Sequence, residues 1–281
     1  MTRILFLIPA FAALLLLPVY SCKQSDPPDY KNRVIRDSGD LVFSGYGWNI
    51  KSSTGPVGPG PNYFNGSDSM VWVDSKGFLH LRIAKINGIW QSSEVICTEN
   101  SGYGKYVFCL ESDVANLKET VVLGLFTWDD NSFQEQANSE VDIEFSKWFR
   151  ANDSLTLTYS IQPVIFDNPI AYSERSFKPV MQVSKLKQPS THIFNWRADQ
   201  VTWNSYTGSV YPGGSPLASW SFNMNNPFRT KIEGGRVSNP IIIPAPAATT
   251  RARMNLWLLN GQPPSDGKPV EVVVRSFEYI P

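Results

Sequence analysis

"NSEVDIEFSKW", residues 138 to 148, alternates Glu140, Asp142 and Glu144 with Val141, Ile143 and Phe145. A β-strand sends successive side chains to opposite faces, so this spacing lays three carboxylates on one face and three hydrophobes on the other. A helix would scatter both sets around its axis. Working outward, the same kind of short extended run recurs along the chain: "LVFSGYGWNI", "MVWVDSKGFLHLRIAKINGIWQSSEVICT", "GKYVFCLES", "ETVVLGLFTW", "SLTLTYSIQ", "THIFNWRADQVTWNSY", "ASWSFNM", "ARMNLWLLN" and "VEVVVRSFEYI". Each is rich in β-branched or aromatic residues, and Gly, Pro, Asn or Asp stand between them. Helical periodicity is nearly absent, apart from a short turn expected over 113–118. The expected fold is all-β, with two packed antiparallel sheets.

The 281 residues divide unevenly. Residues 1–22 have the form of an export signal: Arg3 opens it, residues 4–17 are apolar, and "VYSC" leads into a polar stretch. The small residue before Cys22 resembles a bacterial lipobox, which implies lipidation of Cys22 and anchoring to a membrane of the cell envelope. Plain secretion with cleavage nearby is the alternative. Residues 23–31 read as a polar tether and residues 32–281 as one domain. The Pro-rich stretches "TGPVGPGPNYF" and "SNPIIIPAPAATT" are too short to divide it and read as surface loops. Cys97 and Cys109 flank a Gly-rich turn, where hairpin pairing would set them opposite each other. Two separately buried thiols are the other reading.

Charge is balanced at 25 basic against 25 acidic residues with no long basic run, which leaves nucleic-acid binding without an electrostatic source. Nine Trp, eleven Tyr and sixteen Phe are more than an aliphatic core calls for, and sugars stack on such rings. His80 and His192 both fall in strand-like runs and read as structural, so neither a Ser-His-Asp set nor a His-rich metal site is supported. No cofactor is expected, and a structural calcium is not legible in the sequence.

Three acids on one face suit either a solvated strand or a site that uses their repulsion. Glycoside hydrolysis with retention needs two carboxyls about 5 to 5.5 Å apart, one as nucleophile and one as proton donor. Positions 140 and 144 have Cα atoms roughly 13 Å apart on a flat strand, so a concave sheet would have to bring the long Glu side chains together. Crowded like charges keep one acid protonated near neutral pH while another stays ionised, which is the division such a pair requires.

"EVDIEF" resembles the Glu-x-Asp-x-Glu signature of glycoside hydrolase family 16, the laminarinase, lichenase and agarase group. "SSEVICTENSGYGKYVFCLES", "FNWRADQVTWNSYTG", "ARMNLWLLNG" and "VRSFEYIP" resemble further family segments in family order, covering residues 40 to 281. The resemblance implies a concanavalin-A-like β-jelly-roll with a cleft across the concave sheet. It implies Glu140 as nucleophile, Glu144 as general acid/base and Asp142 as the residue that tunes them. Glu94, Asn255, Trp257 and Asn62 match substrate-binding positions, and Trp128 and Trp148 could supply aromatic platforms. Trp196 and Trp203 read as core.

Two positions depart from the pattern. Asn138 stands where many members carry a sugar-stacking Trp, and Ile96 where some carry an Arg. The function implied is a retaining endo-glycosidase of a β-linked polysaccharide, a glucan or an algal galactan, acting as a monomer. The departure at Asn138 also suits a surface carbohydrate-binding protein that does not cleave. Sugar and linkage depend on loops, and residues 131–138, 163–190 and 211–250 are the least family-like.

Overall fold

A computed structural model describes residues 39–154, 156–162, 175–180, 183–223, 232–233, 236–237 and 243–281. The export signal with Cys22, and the tether, lie outside the described residues.

The strands are β1 (Leu41–Phe43), β2 (Tyr46–Ile50), β3 (Tyr63–Phe64), β4 (Val71–Val73), β5 (Leu79–Ile86), β6 (Ile89–Asn100), β7 (Gly104–Leu110), β8 (Val121–Trp128), β9 (Val141–Phe145), β10 (Leu157–Ile161), β11 (Ser176–Phe177), β12 (Ser190–Trp196), β13 (Gln200–Thr207), β14 (Pro216–Asn223), β15 (Ile232–Glu233), β16 (Arg236–Val237), β17 (Arg251–Leu258) and β18 (Val270–Ile280). One sheet runs β11, β10, β9, β8, β17, β6, with β2 and β1 continuing beside β6. The other runs β5, β18, β7, β12, β13, β14, with β4 beside β5. The hairpin of β5 and β6 joins them: residues 79–83 of β5 pair with β18, and residues 84–86 pair with β6.

Local chemistry sets the turns. Asn87 and Gly88 at the β5–β6 hairpin both have positive φ, 50° and 83°, as a two-residue turn matching strand twist requires. Asp74 closes the β4–β5 turn by accepting hydrogen bonds from the amides of Lys76 and Phe78. Residues 113–118 form no helix; the Asp113 side chain accepts the Ala115 amide in a local turn. A single helical turn, Phe133–Gln136, stands instead in the loop between β8 and β9.

The jelly-roll sandwich expected from the alternation is the architecture observed. Val141, Ile143 and Phe145 lie in the core with Trp48, Trp196, Trp203 and Phe277. Trp203 stacks on Trp220 at 4.7 Å between centroids, and its Nε1 donates to the Asp142 carbonyl at 3.0 Å. One sheet thereby grips the acid-bearing strand of the other. His192 is also interior, with Nδ1 2.6 Å from Ser205 Oγ and Nε2 2.8 Å from Ser190 Oγ. Cys97 and Cys109 are both buried, and no disulfide joins them. The hairpin that would pair them does not form, because β6 and β7 belong to different sheets. Cys97 points into the core, whereas Cys109 joins Val107 and Ile193 in a separate cluster.

Candidate active site

The acids owe their setting to ladder register. Glu144 stands between Thr158 on β10 and Gly124 on β8; Gly124 faces Asn255 on β17, and Asn255 faces Glu94 on β6. The adjoining row is Ser160, Asp142, Phe126, Arg253 and Ile96. Gly124 is required here: a Cβ would stand 2.4 Å from Asn255 Oδ1, so its absence lets the amide lie across β8.

These rows floor a cleft of about 360 Å³. Glu140, Asp142, Glu144, Glu94, Asn255, Trp128 and Trp257 all line it, as do Lys51, Phe126, Asp130 and Arg253, which the sequence did not single out. Glu140 and Glu144 are half-buried, while Asp142 is buried.

Burial raises the pKa of all three acids. Glu140 is held well above the ordinary carboxylate range by desolvation first, then by the charges of Asp142 and Glu144, with Arg253 opposing. Asp142 rises to about 7 by desolvation, opposed by hydrogen bonds from Gln162 and Glu140. Its Oδ2 accepts from Gln162 Nε2 at 3.1 Å. The Glu140 and Asp142 carboxyls interact directly, which raises Glu140 and lowers Asp142, so the two titrate as a unit. Glu144 rises to about 8, again mainly by desolvation, with Lys178 pulling the other way, and is a neutral acid at pH 7.

Glu94 is 1% exposed and fully engaged. Lys51 Nζ lies 2.9 Å from its Oε2, and Arg253 Nη1 lies 3.3 Å from its Oε1. Arg253 Nη2 continues the chain to Asp130 Oδ2 at 2.7 Å, and Trp128 Nε1 donates to Asp130 Oδ1 at 2.9 Å. Lys51, just past the end of β2, and Arg253 on β17 are remote in sequence from Glu94, and the pairing of β2 and β17 with β6 brings them to it. The cation missing at Ile96 is supplied from directly opposite, since Arg253 pairs with Ile96 across the β6–β17 ladder.

Two expected platform or binding residues are placed elsewhere. Asn62 is consumed by main chain: its Nδ2 donates to the Pro59 and Leu258 carbonyls, and its Oδ1 accepts the Leu258 amide and Ser92 Oγ. Trp148, turned by a φ of 49° just past β9, is not part of the cleft lining. Asn138 is buried as well. Its Nδ2 donates to the Asp129 carbonyl at 2.7 Å, and its own carbonyl accepts the Asp129 amide. Ala137, Asn138 and Ser139 all take positive φ, 47°, 59° and 53°, a left-handed run that delivers Glu140 to the cleft floor.

A jelly-roll sandwich with an acid-lined cleft on one sheet is the class these features define. Among solved structures, the chain is similar in fold to a Bacillus licheniformis β-glucanase, with a TM-score of 0.55 and 15% identity over 87% of this chain and 96% of that one. It is similar to a laminarinase from Flavobacterium sp., with a TM-score of 0.57 and 11% identity over 83% and 93%. It is similar, too, to a family 16 mixed-linkage glucan enzyme from Bacteroides ovatus in complex with a G4G4G3G product, with a TM-score of 0.55 and 12% identity over 87% and 98%. No family model and no curated protein matches the chain.

Proposed function

We propose that this chain is a retaining endo-glycosidase of glycoside hydrolase family 16 that hydrolyses a β-glucan. The observation that carries the reading is the gathering of Glu140, Asp142 and Glu144 on the floor of one cleft, where burial raises all three carboxyls, Glu144 to about 8. Passing its proton to the adjacent Asp142 leaves Glu140 a carboxylate that can attack the anomeric carbon; the Arg253 charge favours that ionised form, against desolvation and the neighbouring acids. Glu144 gives its proton to the leaving oxygen as the glycosidic C–O bond breaks and the Glu140 ester forms. Glu144, now ionised, takes a proton from water, whose oxygen displaces Glu140 and restores the starting state. Trp128 and Trp257 line the same cleft and are aromatic residues available to stack on the sugars. The glucan follows what the similar structures are named for.

A second reading, glycan binding without cleavage, is favoured by Asn138, whose amide is locked in the loop where a stacking ring would stand. Purified residues 23–281 incubated with laminarin, mixed-linkage glucan, xyloglucan, agarose, carrageenan and porphyran distinguish the two through released reducing ends. Cleavage of a glucan is expected, with the β-anomer as first product and loss of activity in Glu140→Gln. Cleavage that survives Glu140→Gln removes the nucleophile, and retention in affinity electrophoresis with no cleavage selects the second reading. Lipidation at Cys22 is proposed with it: metabolic labelling with a palmitate analogue should mark the full chain and not Cys22→Ala.

A further inference from the structure

We propose that Arg253 is a substrate-binding residue of this cleft whose Nε–H donates to a hydroxyl of an uncharged sugar unit. The inference rests on the glycosidase reading and names the class of sugar it takes. Arg253 is 6% exposed and lines the cleft. Its two terminal nitrogens are committed, Nη1 to Glu94 at 3.3 Å and Nη2 to Asp130 at 2.7 Å, which fixes the plane of the guanidinium. The buried Nε has no hydrogen-bond partner among the described residues. A buried donor left unpaired beside a cleft is costly until something accepts from it, and a ligand oxygen can do so.

The neighbouring groups narrow the ligand. Asn255, two residues along the same strand face and 3% exposed, has an Oδ1 that likewise lacks a partner among the described residues. An unpartnered donor and an unpartnered acceptor, on two residues that line the cleft, therefore stand about 7 Å apart along β17, measured between Cα atoms. Hydroxyl groups satisfy both because each can donate and accept. A sulfate or carboxylate satisfies only the donor and leaves the Asn255 oxygen facing another acceptor. Charge points the same way. Glu94 and Asp130 flank the Arg253 guanidinium, and Lys51, the other cation of the cleft wall, is bonded to Glu94. Among the described residues that line the cleft, both cations are paired with carboxylates, which leaves no uncompensated positive charge there to attract a sulfated or carboxylated sugar.

The test uses residues 23–281 carrying Glu140→Gln, so that glycan stays intact, with and without Arg253→Lys or Arg253→Met. Lysine keeps the charge and can hold Glu94 but has no Nε–H at that place. Arg253→Met serves as a second variant, and thermal unfolding of both checks folding. Binding of mixed-linkage and laminarin oligosaccharides is expected to weaken tenfold or more in both variants. Parent binding should be unchanged between 50 mM and 500 mM NaCl, concentrations on the order of those that screen exposed ion pairs. A lysine variant that binds like the parent, or parent affinity that is higher for carrageenan and falls with salt, overturns the inference while leaving the glycosidase reading intact. A parent that neither binds nor, as wild type, cleaves any of these glycans overturns both.

Discussion

Glu144→Gln should stabilise the protein at alkaline pH and leave its stability unchanged in acid. Desolvation in the cleft moves the Glu144 carboxyl from its ordinary 4.5 to about 8. A carboxyl whose native pKa is raised binds more protons folded than unfolded, so it favours folding below about 4.5 and loses that contribution as pH rises through about 8. Each tenfold change in proton affinity is worth about 1.4 kcal/mol, which sets a ceiling of about 5 kcal/mol. Half-burial at the cleft wall lets water screen part of this, and about 1–3 kcal/mol is the expected effect. In a domain of this size that corresponds to a rise in Tm of about 3–10 °C. Glutamine keeps the shape and carries no charge at any pH. Urea unfolding followed by Trp fluorescence at about pH 3.5 and pH 9 should show coincident curves in acid and a variant midpoint above wild type in base. An equal gap at both pH values, or a less stable variant at pH 9, would refute the claim that burial penalises this charge.

Gly124→Ala should displace the Asn255 side chain, because the new methyl would meet its Oδ1 at 2.4 Å. A loss of about 1–3 kcal/mol in stability is expected, with a tenfold or greater fall in glucan cleavage, and unchanged activity would argue against the packing described. Burial lowers the His192 pKa to about 3, so its NMR resonances should keep the neutral position down to about pH 4.5. The unfolded ring takes its proton near 6.5, so this group removes stability as pH falls from there toward 3; a native midpoint near 6.5 would contradict the burial. In residues 23–281, Cys97 and Cys109 should resist a thiol reagent when folded and both react after denaturation without reductant. Fewer than two thiols would reveal a disulfide.

Period-two alternation made β9 legible, because Val141, Ile143 and Phe145 enter the core whatever the acids opposite them do. Trp196 and Trp203, read as core, are 0% exposed. The cleft was half legible: Trp128 and Trp257 were found, but Lys51 and Arg253 were not, since neither has a local signal and both are brought to Glu94 by the pairing of strands remote in sequence. Asn62 misled for the same reason. Its setting among Gly and Pro suggests an open loop, while its amide is bonded to Leu258, 196 positions away. Trp148 was drawn to the acids by nearness in sequence, and its positive φ turns the chain off the strand direction that would have carried it along the cleft.

The place of β18 carries a consequence for how the molecule is made. This strand, residues 270–280, lies between β5 and β7, and the amide of its Tyr279 donates to the hydroxyl of Tyr46. Until it is synthesised, two strands that are interior in the finished sheet stand as bare edges, open to pairing with other chains. The second sheet is therefore completed only after residues 270–280 have left the ribosome. Contacts of this sequence separation make for slow folding and a long interval in which a holding partner has unpaired backbone to grasp.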